Sequence, residues 1–261
     1  MTTPVRLIDT HAHLHMAAFN DDRTAVLARA AEAGVMRLVE VGYDLPSSRA
    51  AVTLAEQHDQ LRAVVGIQPN HVHEAPPDWC EQVRALANHP AVVAIGEIGL
   101  DYHWMKAPIA QQAACFREQL ALAREIGKPV VIHSRDAHAD TVRILRESAG
   151  RVRGIMHSFS GDWDFAAACL EVGFLISFSG PVTFAKAHDL HDVARRVPLE
   201  AILTETDSPY LSPHPRRGRR NEPAHVRYVA EHLAALRGLT LPALTKAVWA
   251  NAADIFAWVG T

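Results

Sequence analysis

Histidines and carboxylates follow several short apolar runs of this sequence, in the arrangement that a metal site would need. Imidazole and carboxylate are protein groups that commonly bind divalent transition-metal ions. Six such residues follow five of the runs: His11, His13, Glu97, His133, His157 and Asp207. If the runs are strands of one sheet, these side chains leave the same end of it together. The pattern therefore predicts a metal-dependent enzyme.

The spacing of these residues supports that prediction. His11 and His13 are two residues apart, so on an extended segment they point the same way. Glu97 has two oxygens and can bridge two ions, whereas His133 and His157 follow neighbouring strands and could chelate one ion together. A lone histidine at the end of a strand is more often a hydrogen-bonded loop residue. The prediction of a metal site therefore depends on the joint pattern.

The elements that would hold these residues alternate between strands and helices. Eight short runs rich in Val, Ile and Leu are typical of parallel strands buried on both faces. They lie near 5–10, 35–41, 61–67, 91–98, 129–133, 152–157, 172–178 and 200–206. The clearest helical pattern covers 109–126 and ends before Gly127 and Pro129. Other helical patterns lie at 22–33, 46–58, 79–88, 136–148, 162–170, 184–196, 223–237 and 241–258.

Eight strand–helix units predict a single (β/α)8 TIM barrel over residues 1–261, with the metal site at the C-terminal ends of the strands. Closure of that barrel would bring Asp207, which follows the eighth strand, next to His11 and His13. An open doubly wound sheet is the alternative, but no GxGxxG pattern follows the first strand.

Composition limits the partners and the compartment. The chain has 26 Lys and Arg against 29 Asp and Glu, and this net charge of −3 gives no overall attraction for nucleic acid or anionic membranes. Cys80, Cys115 and Cys169 are widely spaced and form no CxxC pair, which argues against a disulfide framework. Met1 to Pro4 has no signal-peptide core, and no apolar run approaches about 20 residues. We expect a cytoplasmic protein with no membrane contact and no obligate protein partner.

Seven blocks of the sequence resemble the TatD family of metal-dependent hydrolases, a branch of the amidohydrolase-like barrels. The resemblance runs over essentially the whole chain. The blocks are IDTHAHLH (8–15), GEIGLDYH (96–103), KPVVIHSRDA (128–137), GIMHSFSGD (154–162), ETDSPYL (205–211), RRGRRNEP (216–223) and NAADIF (251–256). Their number and order make the resemblance specific.

The resemblance implies a ligand set and an activity. One ion would be held by His11, His13, Glu97 and Asp207, and a second by Glu97, His133 and His157. Members of the family act on phosphodiester bonds, many of them as deoxyribonucleases. Some are thought to act on other esters, including aminoacyl esters on transfer RNA. The chain departs from the family at Gln68, which stands in the stretch after the third strand where a histidine is usual. Gln68 keeps hydrogen-bonding capacity but cannot donate a proton as an acid.

A two-metal site predicts a mechanism. Two divalent ions would activate a water for in-line attack on phosphorus and neutralise the developing charge. Asp207 is the best candidate to accept the proton of that water, with Glu97 as the bridging carboxylate. Glu205 either orients a ligating histidine or is a structural carboxylate inside the barrel. The ligand types suit zinc, manganese, iron or nickel, and magnesium is less favoured by so many imidazoles.

Two loops could contact the substrate. The loop after the eighth strand contains four arginines, whose planar guanidinium groups suit phosphate oxygens: Arg216, Arg217, Arg219 and Arg220. Tyr102, His103 and Trp104 follow Glu97 on another loop, where aromatic rings could stack on a base or cap the core.

These observations favour a phosphodiesterase or deoxyribonuclease, exonuclease-like, that acts on nucleic acid or another phosphodiester. The alternative within the enzyme class is hydrolysis of a carboxylic ester, an aminoacyl ester or an amide, because the same metal pair can activate attack on a carbonyl carbon. A barrel that binds ligands without catalysis is disfavoured, since all six ligand positions are present.

Overall fold

Eight parallel strands in chain order form the single sheet of the protein. The structure is a computed structural model and describes residues 5–258, so the segment Met1 to Pro4, where no signal-peptide core was found, lies outside the described residues. Each strand pairs in parallel with the next one along the chain. The strands are β1 (Leu7–Ala12), β2 (Val35–Val41), β3 (Leu61–Val65), β4 (Val92–Asp101), β5 (Val130–Arg135), β6 (Gly154–Met156), β7 (Phe174–Phe178) and β8 (Ile202–Thr204).

Helices connect the strands and cover the outside of the sheet. They are α1 (Arg23–Glu32), α2 (Leu45–Gln57), α3 (Trp79–Ala87), α4 (Ile109–Ile126), α5 (His138–Glu147), α6 (Trp163–Glu171), α7 (His188–Arg196), α8 (Val226–Leu236) and α9 (Leu241–Ile255). One helix follows each strand, and α9 follows α8. The predicted (β/α)8 TIM barrel is therefore confirmed, and the open doubly wound sheet is excluded.

The first and last strands meet where the barrel closes. The N–H of Asp207 donates to the carbonyl of His11 at 2.9 Å, and the N–H of His13 donates to the carbonyl of Ser208 at 2.8 Å. Below them, the hydroxyl of Thr204 donates to the carbonyl of Ile8 at 3.3 Å. These bonds place Asp207 beside His11 of β1 and beside His13, which follows the strand, as the predicted closure required.

Local sequence signals explain where several helices begin and end. Helix α4 has the predicted bounds and ends at Gly127, whose φ of 69° is the left-handed conformation that favours glycine. The side chain of Thr240 accepts the N–H of Ala243 at 3.3 Å, and Pro242 lies in the first turn of α9. In α2, the carboxylate of Asp44 accepts the N–H of Ser47 at 2.7 Å. These caps fix the ends of helices that pack against the barrel.

Several strands are shorter than the sequence predicts, and two of them end just before functional side chains. β6 ends at Met156 instead of 157, and β8 ends at Thr204 instead of 206. The chain leaves the sheet there through Ser158 and Asp207, whose φ values of 40° and 56° are left-handed. The backbone turns at these points instead of continuing the ladder, so functional side chains stand on turns above the barrel. Helix α7 begins at His188 instead of 184, because residues 184–187 form a bend and a turn after the 3-10 turn Gly180–Thr183.

The core lies inside the barrel and between the strands and the helices. Central strand residues such as Val39, Val64 and Ile132 are fully buried, which explains why the strand sequences are apolar on both faces. Cys115 and Cys169 are also buried, and burial raises the pKa of both thiols to about 12. These two cysteines therefore fill core positions as small side chains. Within residues 5–258, no helix is long and apolar enough to span a membrane.

Candidate metal centre

The six predicted ligands converge at the C-terminal end of the barrel. The first group consists of His11, His13, Glu97 and Asp207. Within it, Nε2 of His11 lies 3.2 Å from Nε2 of His13 and 3.6 Å from Oε2 of Glu97. Oδ1 of Asp207 lies 3.7 Å from Nε2 of His11 and 3.4 Å from Nε2 of His13. Two nitrogens and two oxygens of this group thus face one another.

The other oxygen of Glu97 belongs to a second group, made of Glu97, His133 and His157. Its Oε1 lies 2.9 Å from Nδ1 of His133 and 3.1 Å from Nε2 of His157. The two ring nitrogens are 3.4 Å apart. Glu97 is buried between the two groups and presents one oxygen to each.

These separations fit the coordination of divalent ions. Nitrogen and oxygen ligands at 2.0–2.1 Å from a tetrahedral zinc ion are roughly 3.3 Å from one another. The distances within the two groups lie between 2.9 and 3.7 Å, on both sides of that value. The donor set of imidazole and carboxylate also suits manganese, iron and nickel. Each group could therefore hold an ion without a large movement of its side chains.

Hydrogen bonds on the far side of the His13 and His157 rings fix their orientation. Nδ1 of His13 donates to the carbonyl of Val41 at 2.7 Å. Nδ1 of His157 donates to Oε1 of Glu205 at 3.2 Å, and Glu205 also accepts the N–H of Ser158 at 2.7 Å. In the neutral ring, this arrangement leaves the lone pair on the nitrogen that faces the cluster. The geometry therefore favours the orienting role over the purely structural one for Glu205.

Asp101 performs the same task for His133 and was not identified from the sequence. Its Oδ2 accepts a hydrogen bond from Nε2 of His133 at 3.1 Å and another from the side-chain amide of Asn70 at 2.9 Å. Glu97 and Asp101 are four residues apart on β4, so an even spacing puts both on one face of the strand. That spacing is the signal that could have identified Asp101.

The neighbouring imidazoles keep the two carboxylates of the cluster, Glu97 and Asp207, in the ionised form. Burial alone raises the pKa of Glu97, but the neighbouring imidazoles, with His157 foremost, outweigh it and hold the pKa well below its usual range. The pKa of Asp207 is likewise lowered against the effect of burial, chiefly by the hydrogen bond from His13. Both carboxylates are therefore ionised at neutral pH, as metal ligands need to be.

The buried side chain of Asp9 connects two segments of the cluster by hydrogen bonds. Asp9 accepts the N–H and the hydroxyl of Thr206, at 2.9 and 2.6 Å, and the N–H of His11 at 3.2 Å. Burial raises the pKa of Asp9 to about 8, although these hydrogen bonds oppose the shift. The bonds connect β1 to the turn after β8 and so fix the segments that carry His11 and Asp207.

Five of the six ligand candidates, all except the fully buried His11, line a cavity of about 840 Å³ at the C-terminal end of the barrel. Gln68 lines this cavity, and its side-chain oxygen accepts the N–H of Asn70 at 2.8 Å. Gln68 thereby caps the 3-10 turn Pro69–Glu74, which carries the amide that supports Asp101. The residue that departs from the family pattern is thus connected to the orientation of His133.

The four arginines predicted to bind substrate lie elsewhere. Arg220 forms an ion pair with Asp22 at 2.7 Å, and its guanidinium lies over the ring of Phe19. Arg217 lies over Phe184, at 4.6 Å from the ring centroid. Among the described residues that line the cavity, none belongs to the group Arg216, Arg217, Arg219 and Arg220. The geometry gives no support to their predicted role, because acidic and aromatic neighbours hold the loop against the side of the barrel.

The aromatic residues after β4 divide into two groups. The hydroxyl of Tyr102 donates to Asp140 at 2.8 Å, and the ring of His103 lies 3.2 Å from a carboxylate oxygen of Asp136. Both of these predicted substrate residues contact the α5 side and are absent from the described lining of the cavity. Trp104 does line it. Of the three aromatic residues on this loop, Trp104 alone therefore lies on the lining of the cavity.

Comparison with known proteins agrees with the fold and the cluster. The model of the family described as TatD related DNase matches residues 8–257. The chain belongs to the TatD family. It is 42% identical to the uncharacterized metal-dependent hydrolase YabD of Bacillus subtilis, over 96% of this chain and 98% of that protein. It is 35% identical to a protein of Edwardsiella piscicida named 3'-5' ssDNA/RNA exonuclease TatD, over 96% and 99% of the two chains.

A solved structure shows the same architecture. The TatD homolog YjjV of Escherichia coli K12 superposes with a TM-score of 0.93 at 30% identity, over 98% of this chain and all of that one. A hydrolase of the family from Entamoeba histolytica, at 21% identity, has the same fold with a TM-score of 0.88. The protein is thus a metal-dependent hydrolase of the TatD family, with His, Asp and Glu clusters that could bind metal.

Proposed function

We propose that this TatD-family protein hydrolyses phosphodiester bonds of single-stranded nucleic acid, as an exonuclease with two divalent ions. One ion is assigned to His11, His13, Glu97 and Asp207, and the other to Glu97, His133 and His157. The residue that carries this proposal is Glu97. Its two oxygens face two separate groups of donors, with Oε2 at 3.6 Å from His11 and Oε1 at 2.9 Å from His133. A carboxylate placed in this way could hold one ion with each oxygen.

Two bound ions would supply a nucleophilic water at neutral pH and offset the negative charge of the phosphate oxygens. Asp207 is the proton acceptor, because its lowered pKa keeps it ionised and its Oδ1 lies at the cluster, 3.4 Å from His13. Attack of the water oxygen forms a bond to phosphorus, and the bond to the leaving sugar oxygen breaks. One water proton moves to Asp207, which can pass it to the leaving oxygen.

Features of the cavity support a nucleic acid substrate. Its volume of about 840 Å³ is in the range of sites that enclose organic ligands. Lys106 and Arg135 line it together with the metal-ligand candidates, so cationic groups are available for neighbouring phosphates. The name of the Edwardsiella piscicida relative supports single strands and 3'-to-5' action.

Metal-reconstituted protein tests the proposal on labelled oligonucleotides. We expect mononucleotides to be released one by one from the 3' end of a single strand, and chelation followed by added Mn²⁺ or Zn²⁺ to abolish and restore that release. A closed circular single strand should be resistant, because it has no end. Undiminished cleavage after complete metal removal would contradict the two-ion mechanism.

The same preparation distinguishes the alternative activities. An aminoacyl ester and a p-nitrophenyl carboxylate ester are assayed beside the oligonucleotide at equal protein concentration. Faster turnover of the esters would assign the site to carbonyl chemistry instead of phosphodiester cleavage. Oligonucleotide binding without turnover of any substrate would indicate a barrel that has lost its chemistry.

A further inference from the structure

Trp104, Lys106 and Arg135 lie together on the lining of the cavity, outside the metal-ligand candidates. We propose that these three residues, called here the Trp104 shelf, bind an unpaired base and the adjoining phosphate of the substrate strand. The base stacks on Trp104, and Arg135 and Lys106 contact the phosphate. This inference rests on the proposed function, because it concerns how the same cavity selects a single strand.

The exposure of Trp104 is the first observation behind the shelf. Its relative exposure is 59%, whereas the other four tryptophans of the chain are buried or partly buried. Three of those four have arginines over their rings: Arg6 lies over Trp249, Arg196 over Trp163, and both Arg37 and Arg62 over Trp258. Indole has a large apolar area that gains free energy when it is removed from water. Arg135 also lies over the ring of Trp104, but this indole stays largely exposed on the lining of the cavity and is therefore available to a planar partner.

The shelf is held firmly relative to the cluster. The backbone N–H of Trp104 donates to Oδ1 of Asp101 at 2.9 Å, and the other carboxylate oxygen of Asp101 accepts from His133 at 3.1 Å. The ring of His103 meets the indole edge to face, with centroids 5.0 Å apart. One carboxylate thus positions a metal-ligand candidate and the start of the shelf. A base on Trp104 would keep a fixed distance from the reacting phosphate.

The cations of the shelf are free to bind an anion. The guanidinium of Arg135 lies 5.6 Å from the ring centroid of Trp104. Within residues 5–258, neither Arg135 nor Lys106 forms an ion pair with a carboxylate, whereas Arg220 is occupied by Asp22. Proteins bind single-stranded nucleic acid by combining unpaired cationic side chains with an exposed aromatic ring, and Arg135, Lys106 and Trp104 provide both.

The Trp104 shelf predicts which nucleotides the enzyme binds best. Stacking on an indole needs a base whose face is accessible, so paired and abasic nucleotides would bind poorly. Every base has a π face, so the subsite would tolerate all four bases.

The test compares Trp104→Ala and Arg135→Gln with matched controls, Trp249→Ala and Arg219→Gln. The probes are an oligothymidylate and an abasic strand of the same length. We expect Trp104→Ala to raise KM for the oligothymidylate roughly 10-fold, with Trp104→Phe restoring most of the loss. KM for the abasic strand should not change. Arg135→Gln should reduce the slope of log affinity against log salt by about 0.7, the value of one phosphate contact.

A binding measurement separates failure of the shelf from failure of the proposed function. The dissociation constants of both strands are measured by fluorescence anisotropy in full-length Glu97→Gln protein, with and without the Trp104→Ala change. A weaker complex with the oligothymidylate alone supports the shelf even if the wild-type protein cleaves no nucleic acid. Equal binding of both strands before and after the Trp104 change overturns the shelf, whatever the protein cleaves.

Discussion

Asp101 accepts a hydrogen bond from Nε2 of His133 at 3.1 Å, while Nδ1 of the same ring faces Glu97 at 2.9 Å. The ring is therefore held between two carboxylates, one at the candidate metal site and one behind it. The hydrogen bond from His133 contributes most to holding the pKa of Asp101 below its usual range against the effect of burial. An ionised acceptor behind the ring fixes the tautomer that a metal ligand requires.

Replacement of Asp101 by Asn should weaken metal binding without removing a ligand. Loss of the charged acceptor behind a ligating histidine typically costs 10- to 100-fold in metal affinity. We expect that loss for one of two ions, measured by calorimetric titration of metal-free protein with Zn²⁺. The control is Asp21→Asn, an exposed residue before α1. Equal affinities in Asp101→Asn and the control would show that the hydrogen bond has no role in metal binding.

Replacement of Glu97 by Gln should reduce occupancy of both ions, because each loses a charged oxygen ligand. We expect less than one ion per chain by elemental analysis, against up to two in the wild type, together with loss of turnover. Glu125→Gln is the matched control, since Glu125 forms a surface ion pair with Arg84. Loss of only one ion would restrict Glu97 to a single site and remove the basis for a bridged pair.

Replacement of Asp207 by Asn should separate proton transfer from binding. The amide keeps the shape of the side chain but lacks the basicity of the carboxylate. We expect kcat to fall roughly 100-fold or more, on the scale of losing a general base, with a much smaller change in oligonucleotide affinity. An unchanged kcat together with weaker metal binding would make Asp207 a ligand only.

Some of these relationships could be predicted from the sequence and others could not. The convergence of His11, Glu97 and His157 followed from a general rule, because the C-terminal ends of parallel strands meet at one end of a barrel. The bond between Asp101 and His133 depends on the register of β4 against β5, which no local pattern encodes. Arg220 has its partner 198 residues away, at Asp22. A charge run therefore predicted a binding loop that the structure holds against α1.

Replacement of Arg220 by Gln should affect stability instead of substrate binding. The pKa of Asp22 is lowered to about 2, chiefly by the hydrogen bond from Arg220. The folded state thus binds fewer protons than the unfolded state, in which the pKa of Asp is about 3.9. The loss of Tm in Arg220→Gln should be full above about pH 5 and shrink as the pH falls towards 2. A higher KM for oligonucleotides with a weaker salt dependence would instead restore the predicted phosphate-binding role.

Replacement of Gly99 by Ala should distort the candidate metal centre, because Gly99 contacts the strand that carries His133. Gly99 lies on β4 with a φ of 136°, and an added Cβ would come within 2.0 Å of the carbonyl oxygen of His133. Strands β4 and β5 would have to separate at the residue that carries a metal-ligand candidate. We expect a loss of stability of about 2 kcal/mol or more and weaker Zn²⁺ binding. Gly127→Ala is the control, because its φ is also positive but nothing lies within 4 Å of the added carbon. Its cost should be about 1 kcal/mol with unchanged metal affinity, and equal effects of the two changes would show that the contact with His133 has no special importance.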